Sequence, residues 1–276
     1  MTALTYVLGG VSLKILRRRL PRLGYWGLGL VLSAGLFAGG LKMLALAFFS
    51  LVLLIGVFAE LEEMEFSFGW SSFFTLAINS LLAAGGFAFW VYLTGPKWSQ
   101  SVLGYLEAMF KPLSEMNRQF QIKYFELMLV LPSIVMILWM GALYLSILLE
   151  RRLSGEGDSE EPPMRRQLAE FRLPDAAVWI FIGSLLGSFG GFGNQLVEAV
   201  AANVLNVCFM LFFLQGIAVV TRFFEKIRLA PVWQTLFMVL IVVYLFMFVS
   251  VIGLADYWFD FRARLAKRTE EFNRET

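Results

Sequence analysis

Continuous apolar blocks make up most of this sequence, and they constrain its fold more than any other feature. Several of them approach the ~20 residues that an α-helix needs to cross the hydrocarbon core of a bilayer. Lipid offers no hydrogen-bond partner to an exposed backbone, so a crossing segment is either a helix or part of a closed barrel. Barrel strands would alternate in polarity over ~10 residues, and these blocks do not alternate. The sequence therefore predicts an all-α, polytopic transmembrane helical bundle.

The composition excludes several kinds of site. Hydrophobic residues make up 59% of the chain and charged residues 16%, whereas soluble domains carry about 25% charged residues. There is no histidine, and the one cysteine is Cys208. An intrachain disulfide, a zinc site of the usual His/Cys type and a nucleophile–histidine pair are therefore ruled out, and Cys208 is predicted to be a small buried hydrophobe. We expect no enzyme, no cofactor and no metal. The net charge of +2 also argues against nucleic-acid binding.

Residues 1–22 place an apolar stretch before a basic cluster. A secretory signal peptide has the opposite order. We therefore expect residues 1–22 to form a short amphipathic segment on the membrane surface, held there by its basic side chains. These side chains are Lys14, Arg17, Arg18, Arg19 and Arg22.

The apolar blocks predict roughly seven crossings, within a range of about six to eight. They lie at about 24–40, 42–59, 71–93, 124–149, 174–190, 197–220 and 230–254. Residues 96–123 differ, because their apolar positions recur at helical spacing among polar ones, which is typical of an interfacial amphipathic helix. The acidic run from Glu60 to Glu65 is predicted to be a solvated loop, with a hard-cation site as the alternative.

A polar loop at 150–173, rich in Gly, Ser, Glu and Pro, divides the chain. It separates an N-terminal helical group at 23–149 from a C-terminal helical group at 174–262. A charged tail follows at 263–276.

The distribution of lysine and arginine among the loops predicts the orientation of the chain. It places the N-terminus and the loop at 150–173 on the cytoplasmic face of a bacterial inner membrane. Seven crossings would put the basic C-terminal tail outside, against the same rule. We therefore favour a cytoplasmic C-terminus and an even number of crossings, with the block at 230–255 bent or re-entrant. A miscount elsewhere is the other explanation.

Several polar side chains lie within the apolar blocks, where they are costly in lipid and face a bundle interior or a cavity. Asn203 and Asn206 lie about 60° apart on a helix, with Gln215 about 120° away on the other side. Two interpretations stay open: such residues line a ligand site, or they join neighbouring helices by hydrogen bonds. The ligand-lining candidates are Asn79, Asn203, Asn206 and Gln215.

Two further features could pack helices together or dock a partner protein. Glycines spaced four residues apart let helix backbones approach closely. The exit of the last apolar block carries charged residues on one helical face, with Asp260 and Arg264 at a spacing that favours an ion pair. The packing and docking candidates are Gly35, Gly39, Gly183, Gly187, Gly191, Asp256, Asp260 and Arg262.

Three stretches of the C-terminal half carry a family resemblance. They are Phe171-Arg-Leu-Pro174 leading into Val178-Trp179, Asn203 followed by Phe212-Phe-Leu-Gln-Gly-Ile-Ala-Val-Val220, and Gly253-Leu-Ala-Asp-Tyr-Trp-Phe-Asp-Phe-Arg262. They resemble the YybS-like family of bacterial membrane proteins, whose function is not established. The resemblance covers about 170–265, and the N-terminal half is similar in hydropathy alone.

The YybS-like family is in turn similar, at a greater distance, to the substrate-capture subunits of energy-coupling-factor vitamin transporters. Those subunits are helical bundles with a small-molecule pocket, and they dock on a partner through an AxxxA-like face of the first helix. Ala34 and Ala38 have that spacing here. The resemblance implies a pocket lined by Asn79, Asn203 and Gln215.

Two functions are expected from these observations. The first is a non-enzymatic subunit of the inner membrane that binds or moves a small solute together with partner proteins. The alternative is a scaffold that organises other membrane proteins or copies of itself. An intramembrane enzyme has the least support, because the sequence offers no nucleophile–base or metal set.

Overall fold

The computed structural model is helical in the part of the chain that it describes. That part comprises residues 3–116, 123–154, 171–191, 193–227, 233, 237, 240–241, 244–261 and 264, and it contains no strand. The chain divides into two compact units, Met1–Ser159 and Glu160–Thr276. The boundary falls inside the loop predicted at 150–173.

The described helices of the first unit lie at the predicted apolar blocks and in the segments predicted at 1–22 and 96–123. They are α1 (Ala3–Arg19), α2 (Arg22–Ala38), α3 (Lys42–Glu63), α4 (Phe68–Thr94), α5 (Trp98–Met116) and α6 (Tyr124–Ser154), with a 3₁₀ turn at Gly95–Lys97. The turn between α2 and α3 depends on Gly40, whose φ is +82°. Glycine adopts this left-handed conformation without a Cβ clash.

The described helices of the second unit are α7 (Ala176–Phe189), α8 (Gln195–Lys226) and α9 (Phe246–Phe259). The Asn194 side chain caps α8, accepting hydrogen bonds from the backbone of Leu196 and Val197. Leu245, with φ −113° and ψ 18°, precedes α9 and interrupts the helical backbone. The predicted block at 230–254 is therefore not one continuous helix, and most of its first half lies outside the described residues.

Four helical stretches within the described ranges are long and apolar enough to cross a membrane. They are Lys42–Glu63, Phe68–Ala108, Tyr124–Glu150 and Gln195–Phe224, and shorter apolar helices lie at Arg22–Ala38, Ala176–Phe189 and Phe246–Phe259. Mean hydropathy in the four longer stretches runs from 1.6 to 2.5. These lengths and compositions confirm the prediction of an all-α membrane protein.

The first helix packs inside the first unit, against α3 and α6. The Tyr6 hydroxyl lies 2.7 Å from Ser50 Oγ on α3 and accepts a hydrogen bond of 3.0 Å from Trp139 Nε1 on α6. Lys14 is only 2% exposed. This arrangement differs from the surface segment predicted for residues 1–22, because Lys14, Arg17, Arg18 and Arg22 pair with carboxylates of the protein instead of lipid headgroups.

The contact between α2 and α3 depends on two glycines. A Cβ at Gly29 would collide with Val52, and one at Gly56 would lie 2.5 Å from the Trp26 ring. The Tyr25 hydroxyl donates a 2.9 Å hydrogen bond to the Val52 carbonyl. The two backbones therefore approach more closely than larger residues would allow.

The core of the second unit lies where α7 and α9 pack on α8. Its buried residues are Leu173, Ala177, Val178, Cys208 and Phe212. The Phe181 ring of α7 packs edge-on against Phe209 and Phe212, with centroid separations of 5.4 and 5.5 Å. The prediction that Cys208 is a buried apolar side chain is confirmed.

Candidate functional site

Charged side chains meet in the first unit near the ends of α1, α3 and α6 and the start of α2. We call this group the charged cluster, and it consists of Lys14, Arg17, Arg18, Arg22, Glu60, Glu62, Glu63 and Glu150. Its formal charges cancel. Buried ionisable groups in a membrane protein are functional candidates by default.

Lys14 lies at the centre of the charged cluster. Its ammonium group is 3.1 Å from Glu62 on α3 and 3.3 Å from Glu150 on α6. It also lies 4.8 Å from the centroid of the Phe58 ring, a cation–π distance. One side chain of α1 therefore binds both neighbouring helices.

Arg17, one turn further along α1, continues the charged cluster. It donates hydrogen bonds of 2.9 Å to Glu60 and 2.8 Å to Glu63. Arg22 at the start of α2 reaches the same two carboxylates. These glutamates belong to the last turns of α3 and are ion-paired, so the prediction of a solvated acidic loop between Glu60 and Glu65 is wrong for them.

The charged cluster has the chemistry of a structural junction. Burying an ion is costly, and mutual attraction offsets that cost only when partners and hydrogen bonds are in place. Here each carboxylate faces lysine or arginine, which leaves little negative charge for a cation. Across the described ranges, no group of three or more His, Cys, Asp or Glu side chains could hold a metal ion.

Gln215 forms a second polar site, in the second unit. It is 1% exposed. Its Oε1 accepts a 3.0 Å hydrogen bond from Leu173 N, and its Nε2 donates to the Gly253 carbonyl at 3.0 Å and to Asp256 Oδ2 at 3.5 Å. The Gln215 amide of α8 thus joins the segment before α7 to helix α9. This agrees with the interpretation in which such polar residues join neighbouring helices by hydrogen bonds.

At the exit of α9, two of the packing or docking candidates make contacts within the second unit. Asp256 is fully buried, at 0% exposure, because the helix packs its small residues onto α8. Asp260 caps the C-terminal end of α9 in a left-handed conformation, with φ +46°. Its carboxylate pairs at 3.5 Å with Arg172, which lies ahead of α7. The sequence predicts a different partner for Asp260, namely Arg264. Arg262 lies outside the described residues. The pairing places the end of α9 beside the start of α7.

The other ligand-lining candidates are divided between the two units. Asn79, in the first unit, is 2% exposed and donates to the Thr75 carbonyl of its own helix at 2.9 Å. Asn203 donates to the Ala199 carbonyl at 2.8 Å. Asn203 and Asn206 are both half-buried on α8. These two side chains therefore differ from Asn79 and Gln215, which are enclosed.

Of the three glycines in the ladder predicted on α7, Gly187 makes a close contact with α8. A Cβ at Gly187 would lie 2.7 Å from the Ala201 Cβ, so α7 approaches α8 closely there. At Gly183 the Cβ position is open. Gly191 has a φ of +64° and follows the helix as a turn residue.

The predicted small-residue face of α2 is also open. A Cβ at Gly35 would meet nothing within 4 Å, and Gly39 is the C-terminal cap of α2. Ala34 and Ala38 are exposed. The described residues of the first unit therefore leave this face exposed.

Two glycines that the sequence pattern does not predict as packing residues make the closest contacts among the described glycines of the second unit. A Cβ at Gly216 would collide with the Val249 carbonyl oxygen, and one at Gly253 with the Phe212 carbonyl oxygen. Neither has a glycine four residues before or after it, so the four-residue spacing that predicts close helix packing does not identify them. Both lie in the stretches that carry the family resemblance.

Comparison with known proteins gives a match at the level of a protein family. No curated protein and no solved structure matches the chain. A family model described as "Predicted membrane protein (DUF2232)" matches residues 22–257. This range is consistent with the resemblance to an uncharacterised bacterial membrane family, and it extends through the N-terminal half as well. The chain therefore belongs to the DUF2232 family of predicted membrane proteins.

Proposed function

We propose that this protein is a non-enzymatic, multi-pass protein of the bacterial cytoplasmic membrane that binds a small polar solute and works with partner membrane proteins. The observation that carries the proposal is the half-buried state of Asn203 and Asn206 in the first half of α8. The apolar stretch that contains them has a mean hydropathy of 2.2.

An amide that is incompletely covered within such a helix favours a polar neighbour over lipid. Asn203 and Asn206 are three residues apart, so their side chains share one side of α8 and lie about one turn from each other. This spacing suits a ligand with two hydrogen-bonding groups. Asn79 and Gln215 support the solute site less, since both side chains are enclosed within their units.

The orientation that we propose keeps the basic residues near the charged cluster in the cytoplasm. Arg19 ends α1, and Arg151 and Arg152 follow Glu150 on α6, so positive charge accumulates at this end of the first unit. The positive-inside rule then assigns this end to the cytoplasm.

Thermal unfolding of the purified protein in mild detergent tests the solute site. A panel of vitamins, nucleobases and amino acids should include a compound that stabilises the protein. A ligand at one hundred times its Kd contributes about 2.7 kcal/mol. The double variant Asn203→Leu/Asn206→Leu should lose this shift, whereas Asn79→Ala, the matched amide in the first unit, should keep it. A complete panel without any shift would contradict solute binding.

The alternative function is a membrane scaffold, and an exposed small-residue surface on α4 favours it. Residues 81–89 are all exposed, and Cβ positions at Gly85 and Gly86 are open. Small residues let another transmembrane helix approach closely. Under this alternative, Gly85→Ile/Gly86→Ile should abolish co-purification of a native partner, whereas Leu81→Ile on the same helix should not. Isolation of the wild-type protein from native membranes as a lone monomer would argue against a scaffold.

A further inference from the structure

The first helix, α1, lies outside the residues that the family model matches, but it packs against helices that the model covers. The family match begins at residue 22, whereas α1 ends at Arg19. The helices that α1 packs against, α3 and α6, both belong to the matched region. The surface between them therefore receives a helix that is not itself part of the family model.

Contacts along α1 show its direction. Tyr6 meets Ser50 of α3, and Lys14 meets Glu62 of α3. The same order holds on α6, where Tyr6 meets Trp139 and Lys14 meets Glu150. Residue numbers rise together on all three helices, so α1 runs parallel to α3 and α6.

The surface between α3 and α6 is complementary to α1 in shape and in charge. In the middle of the contact, a Cβ on Gly10 would lie 3.3 Å from the Ala142 Cβ, so α1 and α6 approach each other closely there. At one end, Ser50 and Trp139 supply hydrogen bonds to Tyr6. At the other end, the carboxylates of the charged cluster receive the basic residues of α1.

Both α3 and α6 contain apolar stretches long enough to cross a membrane. The helix α1 has 17 residues, which corresponds to a length of about 25 Å. A helix of that length that runs parallel to a crossing helix extends over most of the ~30 Å hydrocarbon core. Its first residues therefore lie far from the charged cluster.

We propose that the surface between α3 and α6 is a binding groove for a membrane-inserted helix with a basic end, and that α1 of this chain occupies it. The N-terminus then lies on the opposite face of the membrane from the charged cluster. This placement replaces the cytoplasmic N-terminus expected from a surface segment. It holds whether or not a solute binds to α8.

Disulfide crosslinking in native membranes tests occupancy of the groove. The Gly10→Cys/Ala142→Cys variant, in a Cys208→Ala background, should crosslink on mild oxidation, because disulfide-linked Cβ atoms lie about 3.8 Å apart. Ser12→Cys/Ala142→Cys is the matched control, since Ser12 is exposed on another face of α1. Equal crosslinking of the two pairs, or none in the first, would overturn the proposal.

Labelling with a membrane-impermeant maleimide tests the placement of the N-terminus without changing α1. One variant carries a Gly-Ser-Cys extension before Met1, and the other carries Leu23→Cys, at a position 87% exposed beside the charged cluster. Both use the Cys208→Ala background, and permeabilisation verifies that both thiols react. The two thiols should be labelled from opposite faces.

Labelling of both thiols from the same face would refute the inserted α1. The labelling pattern also distinguishes the insertion of α1 from the proposed orientation of the protein in the membrane. If the extension reacts from the cytoplasm and Leu23→Cys from outside, α1 is inserted as proposed, and the orientation argued from the positive-inside rule is reversed.

Discussion

Individual polar side chains join the helices of each unit. Lys14 binds Glu62 and Glu150, and Gln215 binds backbone groups ahead of α7 and on α9. A buried charge or amide of this kind is costly when a partner is removed, because the remaining group stays buried without compensation. The effects of substitution should therefore depend on the partner.

Lys14→Met should destabilise the first unit by about 3 kcal/mol, since it leaves Glu62 and Glu150 without their shared cation. The Lys14→Met/Glu150→Gln double variant should be less destabilised than the sum of the two single variants. Unfolding in detergent, analysed as a double-mutant cycle, measures the coupling. Additive effects would contradict a direct interaction.

Gln215→Leu should lower the free energy of unfolding by about 2 kcal/mol, because Leu173 N and the Gly253 carbonyl lose their buried partner. Gln195→Leu is the matched control, since Gln195 is exposed and surface changes cost less than about 0.5 kcal/mol. Thermal unfolding of the two variants makes the comparison. A similar Tm for both would show that the interhelical hydrogen bonds contribute little.

Helix packing in the second unit depends on close backbone contact between α8 and α9. Gly216 and Gly253 face each other's helices, and neither position has room for a methyl group. By contrast, Gly183 on α7 faces open space. Gly216 and Gly253 therefore leave no room for a larger residue, whereas Gly183 does, although all three lie in apolar helices.

Gly253→Ala should destabilise the second unit by about 3 kcal/mol or more, because the new Cβ would force α9 away from the Phe212 carbonyl. Gly183→Ala should be neutral or stabilising by up to about 1 kcal/mol, as alanine is the better helix former. Detergent-resistance and unfolding assays distinguish these outcomes. Comparable losses at both positions would contradict the packing described for α8 and α9.

The whole molecule has the composition of an integral membrane protein. Four described helices are long and apolar enough to cross a bilayer, and they occur in both units. The large exposed apolar side chains on these helices would be unfavourable in water. Lipid is therefore the favourable solvent for the exposed apolar faces of these helices.

Washing native membranes with alkaline carbonate should leave this protein in the pellet, because that treatment releases peripheral proteins and retains helices embedded in lipid. The measurement is the fraction of protein in pellet and supernatant, with a peripheral protein of the same cells as control. Release into the supernatant would contradict membrane integration of the chain.

Part of the candidate site could be predicted from the sequence. The polar character of Asn203, Asn206 and Gln215 within α8 was evident, because polar residues stand out in an apolar block. Whether each lines a cavity or joins helices depended on neighbours distant in sequence. The close approach at Gly216 and Gly253 was missed for the same reason, since each glycine fits a backbone on another helix.

Composition and block length were sufficient to establish an all-α membrane protein, because a backbone surrounded by lipid must satisfy its hydrogen bonds locally. The role of the basic residues at 14–22 could be established only from the folded structure. Lys14 and Arg17 could equally meet lipid phosphates or protein carboxylates, and the sequence places their glutamate partners far away. Only the packing of α1 between α3 and α6 decides the matter, by bringing those charges within ion-pair distance.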